Sequence, residues 1–558
     1  MFKRIIWLIL IGAIILFFIS SSQSIQSTDK NGNAPAVGFK GMISSAHPLA
    51  TRAGLEILKK TGNAFDAAVT VAAVLNVAEP MMSGIGGYGT ILIYDAKNKK
   101  IRYLDSSGKI PQAVDSDVFR PPNPDYRQNR RGPKAVSTPG NVNAWEALSK
   151  EYGRLKWKDL FYPAIKLASE GFEISENTAE MIEAAFSSFP ETVKTFYGRE
   201  GRPLRSGEKL IQKDLADSFR IIASEGAKAV YGGIIGQAID EAMKRSGGFL
   251  SLDDLVKDKA EWWEPICIGY REFQVYTASP PSTAFPSLIR LGMMSLYDVK
   301  SLGHNSTAYL HYFAEVTKHA FWCRLAYAGD PEINPLPLER LLSTEYWEEQ
   351  KNKIDINKVN PFIPPEIKVN AGKNTTHFVV ADRWGNIVCA TQTLGNAFGS
   401  RIMPEGTGIW LNNSLAYCTF EPKGNPMDAH AGFRKLSGDC PTIILCNGKP
   451  WAALGTPGGH TIGQTVPQMV MNLIDFGMNI QEAITAPRIS FVEPDLIFVE
   501  EKISEKVRAS LAAKGHHIRI SRGLGNAHGL IIEYDDEGHP IRFFGGADPR
   551  GQGTALGY

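Results

Sequence analysis

The chain has 558 residues, of which 43% are hydrophobic and 21% are charged, and its formal net charge at pH 7 is +2. This composition is typical of a globular protein with a large core, and the length alone allows about two to four domains. The sequence has no long basic run, so it gives no support to a nucleic-acid partner held by a charged surface.

Residues 1–30 have the parts of a secretory signal. Lys3 and Arg4 precede an apolar run over residues 5–19, and a serine-rich stretch over residues 20–24 follows it. The run is shorter than the ~20 residues that span a bilayer, although an uncleaved anchor would have the same pattern. The positive charges predict that the start stays in the cytoplasm while the rest crosses. We therefore expect a signal peptide or signal anchor here and an exported protein: periplasmic, extracellular or anchored to the outer face of the membrane.

The first elements of the globular part are two helices followed by a glycine-rich turn and a strand. Residues 49–61 have an amphipathic helical pattern, and Asn63 is suited to cap a second helix over residues 64–77. Residues 84–89 contain Gly-x-Gly-x-x-Gly, but here a helix precedes the glycines, whereas a phosphate-binding loop needs a strand before them and a helix after them. We expect a tight turn close to an active site instead.

Later segments continue to alternate between helix and strand. The patterns predict a long helix over residues 308–327, strands over residues 407–413, 440–446 and 450–454, and a helix after Gly459. Together with the antiparallel hairpins, this alternation indicates an α/β protein built as a four-layer αββα sandwich.

The sequence has six cysteines and no motif typical of a metal site. In an exported chain, Cys418 and Cys440 are candidates for a disulfide, whereas Cys323 and Cys389 have the surroundings of buried apolar residues. Neither Cys-x-x-Cys nor His-Glu-x-x-His is present. We expect no metal and no cofactor.

The segment Asn-Thr-Thr-His at residues 374–377 begins one arm of a predicted hairpin. Two β-rich runs flank Trp384-Gly385-Asn386, which is a turn signal. Thr375 and Thr393 are each nine residues from Trp384. They should therefore be cross-strand neighbours on one face of the sheet.

A threonine hydroxyl becomes a nucleophile only when a base removes its proton. Cleavage of the chain between Asn374 and Thr375 would supply that base, because it frees an α-amino group on Thr375 itself. The pKa of an α-amine is near ~8, which suits a general base. The same residues also fit a simple strand start with two β-branched residues and an exposed histidine.

From about residue 38 to residue 558 the sequence resembles the γ-glutamyltranspeptidase family of N-terminal-nucleophile hydrolases. The resemblance rests on several stretches in the order the family has them: residues 41–48, 62–68, 83–87, 374–377, 455–459 and 547–550. It implies self-cleavage into a large subunit (residues 31–374) and a small subunit (residues 375–558), with Thr375 as nucleophile. It also implies the αββα arrangement.

The resemblance assigns roles around Thr375. Thr393 would orient the nucleophile, and the main-chain N–H groups of Gly458 and Gly459 would form an oxyanion hole. Ser437 and Gly438 match a segment that contacts the acyl donor.

Besides Gly438, which stands where the family usually has a second serine, three positions depart from the family pattern. Ser107 stands where the family has an arginine for the donor α-carboxylate, and Tyr417 stands where it has an aspartate for the α-amino group. The asparagine usual after β-strand residue Leu394 is replaced by a glycine, with Asn396 next to it. A buried charge without a partner costs several kcal/mol. The pocket should therefore bind a zwitterionic glutamyl group poorly, unless a basic side chain moves in; the candidates are Lys109, Arg401 and Arg434.

Three functions are compatible with these residues. The first is a self-processing γ-glutamyltransferase-like hydrolase or acyltransferase that cleaves a γ-glutamyl, glutathione-like amide through an acyl-threonine. The second is an amidase similar to cephalosporin or glutaryl acylases, with a non-glutamyl donor. The third, from another class, is a non-catalytic exported binding protein. For the two enzymes the expected partners are a small-molecule amide and the two subunits of one precursor.

Overall fold

The structure is a computed structural model that describes residues 33–365, 374–492 and 495–558, without the side chain of His460. The expected signal segment at residues 1–30 lies outside these residues. Within the described ranges, no helix is both long enough and apolar enough to cross a bilayer.

Two seven-stranded sheets form the centre of the molecule. In chain order the strands are β1 (Ala36–Gly38), β2 (Gly41–Ser45), β3 (Tyr88–Asp95), β4 (Lys100–Ser106), β5 (Phe172–Glu173), β6 (Gly198–Arg199), β7 (Arg202–Pro203), β8 (Lys209–Leu210), β9 (Glu261–Trp263), β10 (Ile266–Tyr270), β11 (Phe273–Thr277), β12 (Asn374–Asp382), β13 (Ile387–Gly395), β14 (Thr442–Cys446), β15 (Lys449–Gly455), β16 (Ile489–Val492), β17 (Leu496–Glu500), β18 (His517–Ser521), β19 (His528–Tyr534), β20 (Pro540–Ala547) and β21 (Thr554–Gly557). The first sheet has the order β21-β2-β12-β13-β3-β4-β9, and the second has the order β1-β20-β19-β15-β14-β11-β10. Strands β16, β17 and β18 form a small separate sheet, and β5-β8 and β6-β7 are short pairs.

Helices cover the outer face of each large sheet. They are α1 (Pro48–Lys59), α2 (Ala64–Ala78), α3 (Asn141–Tyr152), α4 (Tyr162–Glu170), α5 (Glu176–Phe186), α6 (Glu191–Tyr197), α7 (Lys213–Glu225), α8 (Ile234–Ser246), α9 (Leu252–Lys257), α10 (Phe285–Ser295), α11 (Val299–Leu302), α12 (Thr307–Tyr327), α13 (Leu338–Leu341), α14 (Thr344–Lys351), α15 (Ile462–Ile474), α16 (Ile480–Thr485) and α17 (Glu505–Ala513).

Three apolar layers hold these elements together. One lies between the first sheet and the helices on its outer face, and a second lies between the second sheet and helices that include α10, α12 and α15. The third lies between the two sheets, where alternate residues of β12 such as Val379 meet residues of β14 and β19 such as Ile443 and Leu530. This is the expected four-layer αββα sandwich.

Segments on both sides of residue 374 contribute to both sheets. In the first sheet β2, β3, β4 and β9 precede that residue, whereas β12, β13 and β21 include or follow it. In the second sheet β1, β10 and β11 precede it, and the other four strands follow it. The chain therefore forms one interleaved core, and a cut at residue 374 would leave two segments held by sheet pairing.

The helix predictions hold in detail, and one strand prediction is wrong. Asn63 caps α2 through a reciprocal capping box with Asp66, as its position before an alanine-rich run predicted. Residues 407–413 do not form a strand, because Gly408 has a φ of +64° and the neighbouring N–H groups bond to several different segments. The expected disulfide is also absent: Cys418 and Cys440 are both free, and Cys440 instead contacts the Ser287 hydroxyl at 3.2 Å.

Candidate active site

Thr375 and Thr393 lie side by side at the open end of the β12–β13 hairpin. The strand register shifts between Asn374 and Thr376, and Thr375 occupies this irregular position opposite Thr393. Thr375 Oγ1 donates a hydrogen bond to Thr393 Oγ1 at 3.2 Å, and both side chains are buried. The expected cross-strand contact between the two hydroxyls is therefore confirmed.

The side chain of Thr375 faces the space between the two sheets. Side chains alternate along a strand, so Thr375 shares this face with His377 and Val379. The His377 ring packs so closely on Gly455 that a Cβ at residue 455 would lie 2.3 Å from it. His377 is fully buried, and burial lowers the pKa of its imidazole well below the ordinary value. The simpler interpretation with an exposed histidine is therefore wrong.

Thr393 also contacts the peptide bond that precedes Thr375. Its Oγ1 donates to the carbonyl oxygen of Asn374 at 2.6 Å, and it accepts from the N–H of Gly395 at 2.8 Å. The Asn374 carbonyl belongs to the peptide bond between Asn374 and Thr375, where cleavage is expected. A hydrogen bond to that oxygen polarises the carbonyl, and the same Thr393 hydroxyl accepts from the Thr375 hydroxyl.

Gly458 and Gly459 lie in the turn between β15 and α15. Their φ angles are +140° and +60°, which favour glycine, and a Cβ at Gly458 would lie 2.4 Å from the Thr461 hydroxyl. The turn follows Gly455, which packs on the same face of β12 as Thr375. Gly438 lies against Gly459, so the two glycine segments named by the sequence analysis meet in space.

Ser107 follows β4 and is fully buried. Its hydroxyl donates to Asp105 Oδ2 at 3.0 Å, and its carbonyl oxygen accepts a hydrogen bond from Lys435 Nζ at 2.5 Å. The Lys435 ammonium lies 3.3 Å from the centre of the Tyr88 ring. A basic side chain does therefore lie at Ser107, but it is one that the sequence analysis did not name.

The three basic residues that were candidates to approach this site are either bonded to other side chains or exposed. Arg434 forms an ion pair with Asp105 at 3.3 Å, and Lys109 is exposed. Arg401 is partly exposed and donates to the Ser188 hydroxyl. Lys435 contacts Ser107 itself, whereas Arg434 pairs with the Asp105 oxygen that accepts the Ser107 hydroxyl.

Tyr417 connects the nucleophile to this group of residues. It is buried, and the hydroxyls of Thr375 and Tyr88 lie close to its own hydroxyl. Burial, followed by the charge of Asp439, raises the pKa of Tyr417, so the phenol is neutral at physiological pH. The position that departs from the family pattern therefore lies beside the predicted nucleophile.

Ser437 and Asp439 complete the group. Ser437 Oγ donates to Asp439 Oδ2 at 2.9 Å, and Thr90 Oγ1 donates to the same oxygen at 3.2 Å. Burial raises the pKa of Asp439 to about 6 and lowers the pKa of Lys435 to about 7. Asp439 and Lys435 were both missed, although they flank Ser437 in the segment that matches a donor-contacting one. We call Ser107, Tyr417, Lys435, Ser437 and Asp439 the donor pocket.

Asn396 lies just beyond β13. It follows Gly395, and its main-chain N–H donates to the Asn413 side-chain oxygen at 2.8 Å. This bond fixes the turn after the hairpin. The predicted role of Asn396 in substrate binding stays a prediction.

Two groups of described residues are close enough to share a metal ion, and both lie outside the site around Thr375. In the buried group the His311 and His516 rings contact each other at 2.8 Å, and Glu315 is ion-paired with Lys318 at 2.5 Å. These contacts involve one ring nitrogen of each histidine and one oxygen of Glu315. The other group is at the surface and consists of Asp535, Glu537 and His539.

The fold and the threonine pair define a class of protein: a four-layer hydrolase of the N-terminal-nucleophile type. Residues 50–558 match the model of a protein family described as "Gamma-glutamyltranspeptidase". The chain is 34% identical to the glutathione hydrolase proenzyme of Escherichia coli over 536 residues, which is 92% of this chain and 91% of that protein. It is also 34% identical to the acylase ACY 1 proenzyme of a Pseudomonas species, over 92% of this chain and 95% of that one.

Solved structures agree with the sequence comparisons. The cephalosporin acylase of Bacillus halodurans superposes with a TM-score of 0.85 at 28% identity, covering 97% of this chain and 99% of that chain. The γ-glutamyltranspeptidase of Helicobacter pylori gives a TM-score of 0.56 at 32% identity, covering 57% of this chain and 94% of that chain. The chain belongs to the γ-glutamyltranspeptidase family. It is an amide hydrolase or acyltransferase, and the non-catalytic alternative receives no support.

Proposed function

We propose that the protein cleaves itself between Asn374 and Thr375. Thr375 Oγ1 attacks the Asn374 carbonyl carbon, an ester forms as the C–N bond breaks, and the proton of the hydroxyl passes to the departing amine. Water then hydrolyses the ester, which leaves a carboxylate on Asn374 and a free amine on Thr375. The observation that carries this proposal is Thr393, whose one hydroxyl donates to the carbonyl under attack and accepts from the attacking hydroxyl.

The processed site then acts on an amide substrate. The freed amine of Thr375 takes the proton from its own hydroxyl, and the hydroxyl attacks the substrate carbonyl. The N–H groups of Gly458 and Gly459 hold the oxyanion, and Thr393 orients the nucleophile. The acyl-Thr375 ester passes its acyl group to water or to an amine.

The donor we propose is an acyl group without the α-amino group of a glutamyl donor. The charges in the donor pocket already have partners, because Lys435 is surrounded by Asp105 and Asp439. The phenol of Tyr417 offers no negative charge to an ammonium group. A zwitterion would therefore leave charges unpaired in a buried site, which costs several kcal/mol. The acylase function is thus favoured over γ-glutamyl transfer.

Two measurements on purified protein test these steps separately. Denaturing gels and mass spectrometry should show two chains, the smaller beginning at Thr375; one intact and active chain would disprove the processing step. Rates with glutaryl-4-nitroanilide and γ-glutamyl-4-nitroanilide should favour the glutaryl compound. A strong preference for the γ-glutamyl compound would instead support the glutathione hydrolase function of the relatives.

We also propose that the protein is exported. The support is the charged, apolar and serine-rich order of residues 1–30. Fractionation of the producing cells with an antibody to the small chain tests this: the protein should lie outside the cytoplasmic membrane or on its outer face, and recovery only in the cytoplasm would contradict it.

A further inference from the structure

Two histidines and a glutamate form a buried cluster where three segments of the chain meet. His311 and Glu315 are one turn apart on α12, and His516 lies between α17 and β18. Their exposed fractions are 0%, 3% and 5%. One nitrogen or oxygen atom of each side chain lies within 4.8 Å of those of the other two, which is close enough for a shared metal ion.

The hydrogen bonds of His311 fix which of its ring nitrogens carries the proton. Its Nε2 lies 2.8 Å from the carbonyl oxygen of Asp355, which can only accept, so Nε2 is the donor. In the neutral ring Nδ1 then keeps its lone pair, and this atom lies 2.8 Å from Nε2 of His516. A histidine that binds a metal typically donates its other N–H to a carbonyl oxygen or a carboxylate. His311 therefore has the proton arrangement of a metal ligand.

Glu315 supplies a carboxylate to the same cluster. It lies on the face of α12 that carries His311, because residues four apart on a helix are neighbours. Its Oε2 accepts from the N–H of Asn360 at 3.0 Å, and Lys318 Nζ lies 2.5 Å from its Oε1. These contacts orient the carboxylate, as groups behind a metal ligand do. Two imidazole nitrogens and one carboxylate oxygen form a donor set found in zinc sites.

The charges around the cluster decide which metal it suits. Lys318 and Lys514 act on both histidines, and their positive charges oppose any bound cation. Mg²⁺ and Ca²⁺ prefer oxygen ligands, and this cluster offers a single carboxylate that already has a lysine partner. Zn²⁺ binds well to neutral imidazole nitrogens. The donor set therefore favours Zn²⁺ over the hard cations, and the lysines limit how tightly it binds.

The cluster joins segments from both sides of the expected cut. His311 and Glu315 precede residue 374, whereas His516 follows it. Beside the cluster, the N–H of Val359 donates to the carbonyl oxygen of Lys514 at 3.0 Å, and Lys514 Nζ donates to the Ile356 carbonyl at 2.6 Å. A metal ion bound here would add coordination bonds to this contact between the two subunits.

We propose that His311, Glu315 and His516 bind a zinc ion that links the large and small subunits. His311 coordinates through Nδ1, His516 through Nε2 and Glu315 through one carboxylate oxygen, and a water molecule completes the four ligands that zinc prefers. The proton of His516 moves from Nε2 to Nδ1 by exchange with water, so both rings stay neutral. No local motif predicts this site, because the two histidines are 205 residues apart. The linking role rests on the proposed self-cleavage, whereas the binding of zinc does not.

Zinc binding is measured on purified protein without a histidine tag, after a chelator has removed bound metal. The protein should bind one equivalent of Zn²⁺ in competition with a chromophoric indicator, and an excess of Mg²⁺ should not displace it. His516→Gln keeps an N–H for Nδ1 of His311 but lacks a ligand nitrogen. It should weaken binding at least about 100-fold, because loss of a group behind a ligand already costs about 10- to 100-fold.

Three further variants show whether the ion lies in this cluster. Glu315→Gln keeps an acceptor for the N–H of Asn360 and should weaken binding at least about tenfold. His517→Gln and His539→Gln each remove an exposed histidine, the second from the surface group with Asp535 and Glu537, and both should bind as tightly as wild type. Absence of binding by the wild type would overturn the proposal. Unchanged binding in folded His516→Gln, or loss in His539→Gln, would also overturn it.

The linking role is tested on the cleaved protein. Size-exclusion chromatography in increasing urea shows where the two chains separate. Zn²⁺ should raise that urea concentration for the wild type and not for His516→Gln. An ion that binds without this effect would overturn the link. The Thr375→Ala variant, which is expected to stay uncleaved, should bind Zn²⁺ as the wild type does, so failure of zinc binding and failure of self-cleavage are distinguishable.

Discussion

The hairpin of residues 374–395 and the donor pocket meet at Thr375 but are built in different ways. In the hairpin, main-chain pairing places Thr393 beside Thr375 and under the Asn374 carbonyl. In the donor pocket, side chains come from segments far apart in sequence, as Lys435 and Ser107 show with a separation of 328 residues. We therefore expect the reaction and the choice of donor to be physically separable. A change in the hairpin should affect every substrate, whereas a change in the pocket should affect some substrates more than others.

The largest effect is expected from removal of the nucleophile. Thr375→Ala should remain a single chain and lose at least about 1,000-fold in kcat/KM with any donor. Thr375→Ser keeps the hydroxyl and is the matched control, which should still be cleaved. Gel analysis and rates with two donors check both points. An alanine variant that is cleaved would remove Thr375 from the mechanism.

The second-largest effect is expected from loss of the Thr393 hydroxyl. Thr393→Val preserves the shape but removes the donor to the Asn374 carbonyl and the acceptor for Thr375. Processing should slow, and turnover of the processed fraction should fall about 100-fold, as for loss of one oxyanion-hole donor. The fall should be the same for different donors, because the hairpin does not read the acyl group. Wild-type processing in Thr393→Val, with Thr393→Ser as control, would contradict this role.

The hairpin was predictable from sequence because its geometry is local. Counting residues on both sides of Trp384 was enough to pair Thr375 with Thr393, since side chains alternate regularly along strands. Local capping chemistry likewise fixed the start of α2 at Asn63. The strand prediction over residues 407–413 is wrong because the structure there is not decided by local pattern. Gly408 has a positive φ, and the neighbouring N–H groups bond to distant segments.

The donor pocket was predictable only in part. The family resemblance identified Ser107 and Tyr417 as departures, but it could not show which side chains surround these two residues. Lys435 reaches Ser107 only because β4 and the segment before β14 meet in the folded protein. No spacing rule in the sequence connects two residues that far apart.

On the helix-facing side of the hairpin, a buried carboxyl group should make the free energy of unfolding depend on pH. Thr376 Oγ1 donates to Glu79 Oε2 at 3.3 Å, and burial raises the pKa of Glu79 from 4.5 to about 7. The folded protein therefore holds a proton that the unfolded chain releases above pH 4.5, so this carboxyl costs stability as pH rises through about 7. Glu79→Gln lacks this dependence. Relative to wild type, the variant should gain roughly 3 kcal/mol between pH 4 and pH 8.

Thermal unfolding of both proteins at several pH values measures the gain from Glu79→Gln. Glu537→Gln, which is exposed, serves as the control and should show no such trend. Donor selectivity should stay unchanged, because Thr376 faces the helices and not the donor pocket. A constant difference in melting temperature across this pH range would show that Glu79 is not held protonated.

The smallest effect should come from rebuilding the family's charge partners. Ser107→Arg combined with Tyr417→Asp introduces a cation for an α-carboxylate and an anion for an α-amino group, with no change in net charge. Each single variant leaves one buried charge unpaired and should lower the melting temperature, whereas the pair should lower it less. The ratio of γ-glutamyl to glutaryl turnover should rise about tenfold, which corresponds to about 1.4 kcal/mol. If a folded, cleaved double variant kept the wild-type ratio, donor choice would not reside in these two positions.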